Sequence, residues 1–387
     1  MKKIIFVINN LETGGVQKSL FNLLTEIHNK YDVTLLTFFG NDDFEKALPN
    51  NVKVIKTSSS FRQLGMSASH TKSNILLYAE RAFFVALTRA FGRSFAIKLM
   101  CFSRKKYKDY DIAVSFIHEA PQKNLYGGCN EFVLKMVDAD KKVSWLHCDF
   151  GLCGANNAES KKIYEKFDTV VACSEGCKRA FLQCLPEFAD KTVSVRNCND
   201  YSLIRELAGD GIEYDEDYFN VVTVARLSEE KGIKRALIAV SECVKHGFKV
   251  KYHIVGSGDQ EGMLKQKVAE LGLEDTVVFY GTRQNPYPYM KNADLFMLTS
   301  YHEAAPMVFD EAACLGVPVL ATETTSTDEM ILKNYRGFVC KNSQEGISEG
   351  LLSVLKNPQK LAEIGDHLKN VEFTNEDAIA VAESIFK

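Results

Sequence analysis

The residues of this sequence best suited by type and spacing to do chemistry are two carboxylates, two cations and a pair of glycines. In Ser300-Tyr301-His302-Glu303-Ala304-Ala305-Pro306-Met307-Val308-Phe309-Asp310-Glu311, Glu303 and Glu311 stand eight positions apart with a proline between them. The apolar run 295–299 reads as a strand, so Glu303 falls in the loop after it and Glu311 falls about one turn into a helix. Proline suits the start of a helix, whose N-terminus carries partial positive charge. Carboxylates there can accept hydrogen bonds from the hydroxyls of a sugar or a ribose; for Glu311, exposure to solvent beside Asp310 is the alternative. Arg226-Leu227-Ser228-Glu229-Glu230-Lys231-Gly232 follows another strand-like run, 220–225, with two cations five residues apart. Such cations can clamp a diphosphate and stabilise the charge it gathers on leaving. A solvated charged loop is the competing reading, but an arginine directly at the end of an apolar strand favours a binding edge. Gly14-Gly15 comes after the first apolar run and before a helix marked by Leu20, Leu23, Leu24 and Ile27. It lets a backbone approach an anion closely or serves only as a flexible turn, since no full GxGxxG is present.

Lesser candidates surround these. His118, in Phe116-Ile117-His118-Glu119-Ala120-Pro121, follows a strand and either lines a binding surface or supports one from behind. His302 reads as a loop filler. Cys148, Cys153, Cys173, Cys177, Cys184 and Cys198 fall near His147, but no CxxC pair occurs and the spacings match no zinc or iron–sulfur pattern. Scattered thiols, and no metal site, are expected.

Positioning these groups requires strands alternating with helices. Runs 4–8, 33–38, 111–117, 142–146, 169–173 and 192–195 read as strands, and a second series starts after the polar stretch 196–200, with runs 220–225, 250–255, 277–280, 295–299, 317–321 and 337–339. Between the later runs lie helical patterns at 234–246, 260–272 and 309–315. Alternation of this kind implies parallel sheets with both faces covered, and two series imply two Rossmann-like domains. The expected division is 1–197 and 198–372, with a terminal helix at about 373–387 packing back on the first domain. In such folds ligands lie outside the carboxyl ends of the strands, so sites should sit in loops just after strands, facing across a cleft.

The 387 residues include 47 Lys or Arg and 50 Asp or Glu, a net charge of -3, which argues against a surface built to grip nucleic acid. The charge is unevenly spread: +7 over residues 1–200 and -10 over the remainder. Between Arg62 and Lys108 stand ten cations and only Glu80 as an anion, interleaved with Phe83, Phe84, Leu87, Phe91 and Phe95. That mixture suits a surface docking on anionic lipid; buried phenylalanines with solvated arginines are the alternative. No uncharged apolar run approaches the roughly 18–20 residues that span a bilayer. The opening Met1-Lys2-Lys3 and its short apolar run turn polar too soon for a secretory leader. Eleven scattered cysteines fit free thiols in a reducing cytoplasm, so a cytoplasmic protein, peripheral at the inner face of the membrane, is expected.

Arg226-Leu227-(x)3-Lys231-Gly232, Val255-Gly256-Ser257-Gly258, Asn285-Pro286-Tyr287-Pro288-Tyr289, Asn292-Ala293-Asp294, the Glu303-(x)7-Glu311 pair and Leu315-Gly316-Val317-Pro318-Val319 together resemble the retaining glycosyltransferases of family 4, of GT-B fold, in particular bacterial enzymes that assemble capsular, O-antigen or exopolysaccharide repeats. The resemblance implies that Arg226 and Lys231 bind the diphosphate of a nucleotide sugar, Glu311 the ribose, and Glu303 the transferred sugar. Gly14 and Gly15 would let the first loop close on the donor phosphate. His147, in Ser144-Trp145-Leu146-His147, matches a position beside donor sugar and acceptor, with His118 on the acceptor side. Ala305, Pro306 and Met307 would border the donor, and the base would be read through backbone near Gly281 to Arg283. Ala304-Ala305 departs from the family's frequent Gly-Phe. Asp138-Ala139-Asp140 imitates the metal-binding DxD of a different glycosyltransferase fold, but precedes a strand, and is expected to be a solvated turn.

The expectation is therefore an α/β chain of GT-B fold, a metal-independent retaining glycosyltransferase without cofactor. Its donor would be a nucleotide diphosphate sugar, a uridine one, and its acceptor a glycan or lipid-diphosphate-linked glycan. A sugar-nucleotide epimerase of the same fold would need an acid and base pair of its own. An inactive nucleotide-binding partner subunit would not need Arg226, Lys231, Glu303 and Glu311 together.

Overall fold

The structure is a computed structural model covering Met1–Lys387 and describes every residue except Thr13, Asn41, Ser58, Ser73, Asp210 and Gly211. The backbone divides into two compact units, Met1–Cys198 with Asn375–Lys387, and Asn199–Thr374. Both are α/β, each with a parallel sheet.

The first unit carries β1 (Lys3–Asn10), β2 (Asp32–Phe39), β3 (Lys53–Lys56), β4 (Tyr107–Ser115), β5 (Val137–Leu146), β6 (Thr169–Ala172) and β7 (Thr192–Ser194), in the order β3-β2-β1-β4-β5-β6-β7. Successive residues of β1 point to opposite faces and both faces are covered. Ile4, Phe6 and Ile8 pack in one cluster with Leu20, Leu24 and Phe386, while Ile5 and Val7 pack in another with Phe38, Ile97 and Phe132. Phe386 belongs to the final helix Glu376–Phe386, and its ring meets Phe6 edge-on at 6.0 Å.

The second unit carries β8 (Phe219–Val224), β9 (Val250–Val255), β10 (Val277–Gly281), β11 (Leu295–Leu298), β12 (Val319–Thr322) and β13 (Gly337–Cys340), in the order β10-β9-β8-β11-β12-β13. Again neighbouring residues divide between two cores, Val221 with Leu237 and Leu295 on one face, Val222 with Phe296 and Phe309 on the other.

Three expectations change. The first sheet has seven strands among the described residues rather than six, because Lys53-Val54-Ile55-Lys56 pairs with β2 at an edge, where only one side needs a partner. Strands β4 and β5 start earlier than their apolar runs, so Asp138 and Asp140 lie within β5 instead of in a turn; both stay exposed, at the end of β5 opposite His147. Arg93 and Phe84, expected on a basic surface, are buried. Gly92, at a φ of +84°, separates the helix Ile75–Phe91 from Arg93–Met100, and the second helix turns its first residue into the core. All eleven cysteines are free thiols. Among the described residues no group of three or more His, Cys, Asp or Glu is arranged to hold a metal ion.

Candidate functional site

In the second unit the chain starts at the central strand β8, extends through β9 and β10 to one edge, then returns to β11 on the other side. The point of reversal lies between β8 and β11, where loops leaving the two carboxyl ends must part. Residues 225–232 follow β8 and residues 299–306 follow β11, which brings together side chains 72 positions apart. Lys231 Nζ donates to Glu303 Oε1 at 2.6 Å, and the Ser300 hydroxyl donates to the same oxygen at 2.6 Å.

The backbone holds this pair in place. Gly232 has a φ of +61°, and a Cβ there would stand 2.1 Å from the Thr299 carbonyl oxygen, so only glycine lets the two loops come this close. The Tyr301 amide donates to the Glu230 carbonyl at 2.9 Å, and Thr299 Oγ1 donates to the Gly232 carbonyl at 3.0 Å. Arg235 completes the brace. Its guanidinium donates to the Thr299 carbonyl at 2.5 Å and to Asn342 Oδ1 at 2.8 Å, and lies 3.8 Å from the centre of the Tyr301 ring. Behind the first loop, Gly256 and Gly258 pass so close to the Ala225 and Leu227 carbonyls that a side chain at either would collide with backbone.

The other residues expected here are placed as follows. Arg226 is largely exposed and pairs with Glu230. Arg283 follows β10 on the surface, 6.0 Å from the Tyr289 ring centre. Ala305 and Pro306 are half-buried and lead into the helix Met307–Cys314, whose first residue, Met307, is buried. Glu311 is 4% exposed and Asp310 pairs with the buried Arg336, so neither faces solvent. His302 is exposed, which suits a loop filler.

The first unit has its own reversal between β1 and β4. Gly14 caps the helix Gly15–Ile27 in an extended conformation. A Cβ at Gly15 would meet nothing within 4 Å, so the fold itself does not demand glycine at that position. Gln17 Nε2 donates to Asn10 Oδ1 at 3.0 Å and ties the helix start to the end of β1. His118 follows β4 and His147 follows β5. His147 packs on Phe116 at 4.6 Å and runs parallel to Trp145 at 6.5 Å. Burial first, then the neighbouring His118, pushes His147 down to about 3; burial and the charge of Arg93 push His118 down to about 4. Both imidazoles are neutral at physiological pH. His118 Nδ1, His147 Nε2 and Trp145 Nε1 are buried without a hydrogen-bond partner among the described residues. Buried polar atoms are nearly always bonded, so three unsatisfied ones beside the carboxyl ends of two strands mark a place suited to a polar ligand.

Arg93 is the supporting residue whose place the sequence does not reveal. Fully buried, it pairs with Glu119 and Glu131 and donates to the carbonyls of Ala120 at 3.1 Å and Asn124 at 3.2 Å. It thereby fixes the segment that carries His118. The sequence holds one hint: Gly92 breaks the helix just before it, and Ala96 and Ile97 follow on the buried face.

Two parallel α/β sheets, each with its order reversing at the strand that opens it, define a chain of GT-B type. Residues 210–371 match the family described as Glycosyl transferases group 1. The Erwinia amylovora protein named amylovoran biosynthesis glycosyltransferase AmsK is 32% identical over 143 residues, 35% of this chain and 34% of its own length. The chain thus spans about a third of that relative. A Haemophilus influenzae protein named only as an uncharacterized glycosyltransferase is 22% identical over 375 residues, 95% of this chain and 94% of its own. Among solved structures, Anabaena HepE in complex with UDP and glucose superimposes with a TM-score of 0.70 at 20% identity, covering 100% of both chains.

Proposed function

We propose that this chain is a retaining glycosyltransferase of family 4 type, moving a sugar from a nucleoside diphosphate sugar, UDP-linked, to a glycan or lipid-diphosphate-linked glycan in surface polysaccharide assembly. The observation that carries this reading is the Lys231–Glu303 pair at the β8–β11 reversal, a cation for a diphosphate beside a carboxylate for sugar hydroxyls. AmsK's name refers to amylovoran biosynthesis by a glycosyltransferase and HepE is in complex with UDP and glucose, which supports the same chemistry here.

In this reading Lys231 and Arg226 hold the diphosphate and stabilise the negative charge that grows as it departs. Glu303 orients the sugar, Glu311 accepts from the ribose, and Ala305, Pro306 and Met307 supply the helix start beside the phosphates. Backbone near Arg283 reads the base. On the first unit, Gly14 and Gly15 let backbone approach an anion closely, while neutral His147 and His118 offer hydrogen bonds to a polar ligand. The acceptor oxygen attacks from the face the phosphate leaves, and the departing phosphate oxygen takes its proton, which preserves the anomeric configuration. Lys231 and Arg226 supply the positive charge that a metal ion would otherwise bring to the diphosphate, so this reading uses no metal or cofactor. The site of action is the cytoplasmic side of the membrane.

Screening UDP-, GDP- and ADP-sugars for thermal stabilisation tests the reading, since a ligand that binds the folded state raises its melting temperature by mass action. A UDP-sugar should raise Tm in the wild type and raise it by less in Lys231→Ala at the same concentration. Undiminished stabilisation in Lys231→Ala would place the donor elsewhere.

A further inference from the structure

We propose that the outer face of the helices Ile75–Phe91 and Arg93–Met100 is a docking surface for an anionic lipid bilayer. The first helix turns Phe84 and Thr88 inward and presents Leu76, Ala79, Phe83, Ala86 and Ala90 to solvent at helical spacing. A surface helix ordinarily does the reverse, with charged residues outward. Here Ile75 is 82% exposed, Leu76 79%, Phe91 66% and Phe102, just past the second helix, 78%. The exposed rings of Phe91 and Phe95 lie 5.1 Å apart and join the two helices into one apolar surface. Contiguous apolar surface of this kind marks an interaction site.

Charge selects the occupant. Glu80, the one carboxylate between 62 and 108, is engaged by Gln63 Nε2 at 2.8 Å and by Arg62 at 3.7 Å. The exposed cations Lys72, Arg89, Lys98, Lys105, Lys106 and Lys108 remain in the same segment. A second copy docked through this same face would bring these cations against themselves, whereas a bilayer with anionic headgroups offers both apolar depth and opposite charge. A 17-residue helix is about 25 Å long and suits an in-plane position. Among the described residues no helix is long and apolar enough to cross a membrane. The inference does not depend on the transfer chemistry.

Co-sedimentation of the full chain with vesicles tests it. The protein should pellet with phosphatidylglycerol-containing vesicles at low ionic strength and not with pure phosphatidylcholine, and the binding should weaken as salt rises. Replacing Lys105, Lys106 and Lys108 together with Gln should lower vesicle affinity about a hundredfold, from roughly fivefold per surface cation. Phe91→Ser with Phe95→Ser should weaken binding at unchanged charge. Phe91→Trp should blue-shift its emission with anionic vesicles, against a constant background from Trp145, which is buried. Failure to pellet with anionic vesicles at low salt overturns the proposal. So does undiminished binding by the double serine variant, or a dimer that this variant dissociates, which would make a second copy the occupant. Donor-induced stabilisation should be retained in all these variants, so failure here is distinguishable from failure of the nucleotide reading.

Discussion

Lys231→Ala and Glu303→Gln should move nucleotide binding in opposite directions while both slow transfer. The two side chains are 21% and 11% exposed and meet at 2.6 Å, so their pairing lies between the surface regime of at most about 1 kcal/mol and the buried one. An arriving diphosphate competes with Glu303 for the same ammonium. Removing the lysine forfeits a charge-assisted hydrogen bond of about 1.5–3 kcal/mol, a ten- to hundredfold loss of UDP affinity. Replacing Glu303 with the isosteric amide removes the competitor and keeps an acceptor for the Ser300 hydroxyl; release of about 1 kcal/mol of pairing should tighten UDP roughly fivefold. Transfer should nevertheless fall at least about a hundredfold in both, the usual loss for one preorganised electrostatic group. Calorimetric titration with UDP and a UDP-release assay on the three proteins read the two effects separately. Glu303→Gln weakening UDP as much as Lys231→Ala would refute the competition, and near-wild-type turnover in either would refute the site.

Arg93→Met leaves Glu119 and Glu131 buried without their cation and should cost about 3–5 kcal/mol in urea unfolding, with Arg93→Lys recovering only part because lysine cannot fan out to the same carbonyls; an unchanged midpoint would refute the clamp. Gly232→Ala meets both a left-handed φ and the Thr299 carbonyl and should lower Tm and remove donor stabilisation, whereas Gly15→Ala should leave Tm unchanged or slightly raised while slowing transfer. Burial holds His253 down to about 4, as it does His118, and His147 to about 3. Below pH of about 6.5 the unfolded chain binds protons the folded chain refuses, so stability is full above that pH and falls as pH drops towards 4, by about 1.4 kcal/mol per unit for each histidine. Urea titrations at pH 7 and 5 should show this loss, and His253→Gln should reduce it; a pH-independent midpoint would contradict the neutral burial.

Strands with continuous uncharged runs, such as β1 over residues 4–8, β8, β11 and β12, were legible because both their faces are buried and nothing charged interrupts them. The starts of β4 and β5 were not, since Tyr107–Tyr110 and Asp138–Lys141 extend the ladder beyond the core, where charged side chains are tolerated. β3 was hidden by its four-residue length and its two lysines. Lys231, Gly232 and Glu303 could be named from their places after strands, but their 2.6 Å contact depends on β8 and β11 lying side by side, which local patterning does not encode. Arg93 shows the same limit more sharply: its partners Glu119 and Glu131 are 26 and 38 residues downstream, and without them an arginine in a basic stretch reads as a surface charge.

The most direct test is transfer itself, measured by mass spectrometry as the gain of one sugar on a glycan or lipid-linked acceptor from the UDP-sugar that best stabilises the protein. Wild type should give product in the presence of EDTA, and Lys231→Ala at least about a hundredfold less. Product that disappears with EDTA, or that forms equally well without Lys231, would contradict the proposed reading.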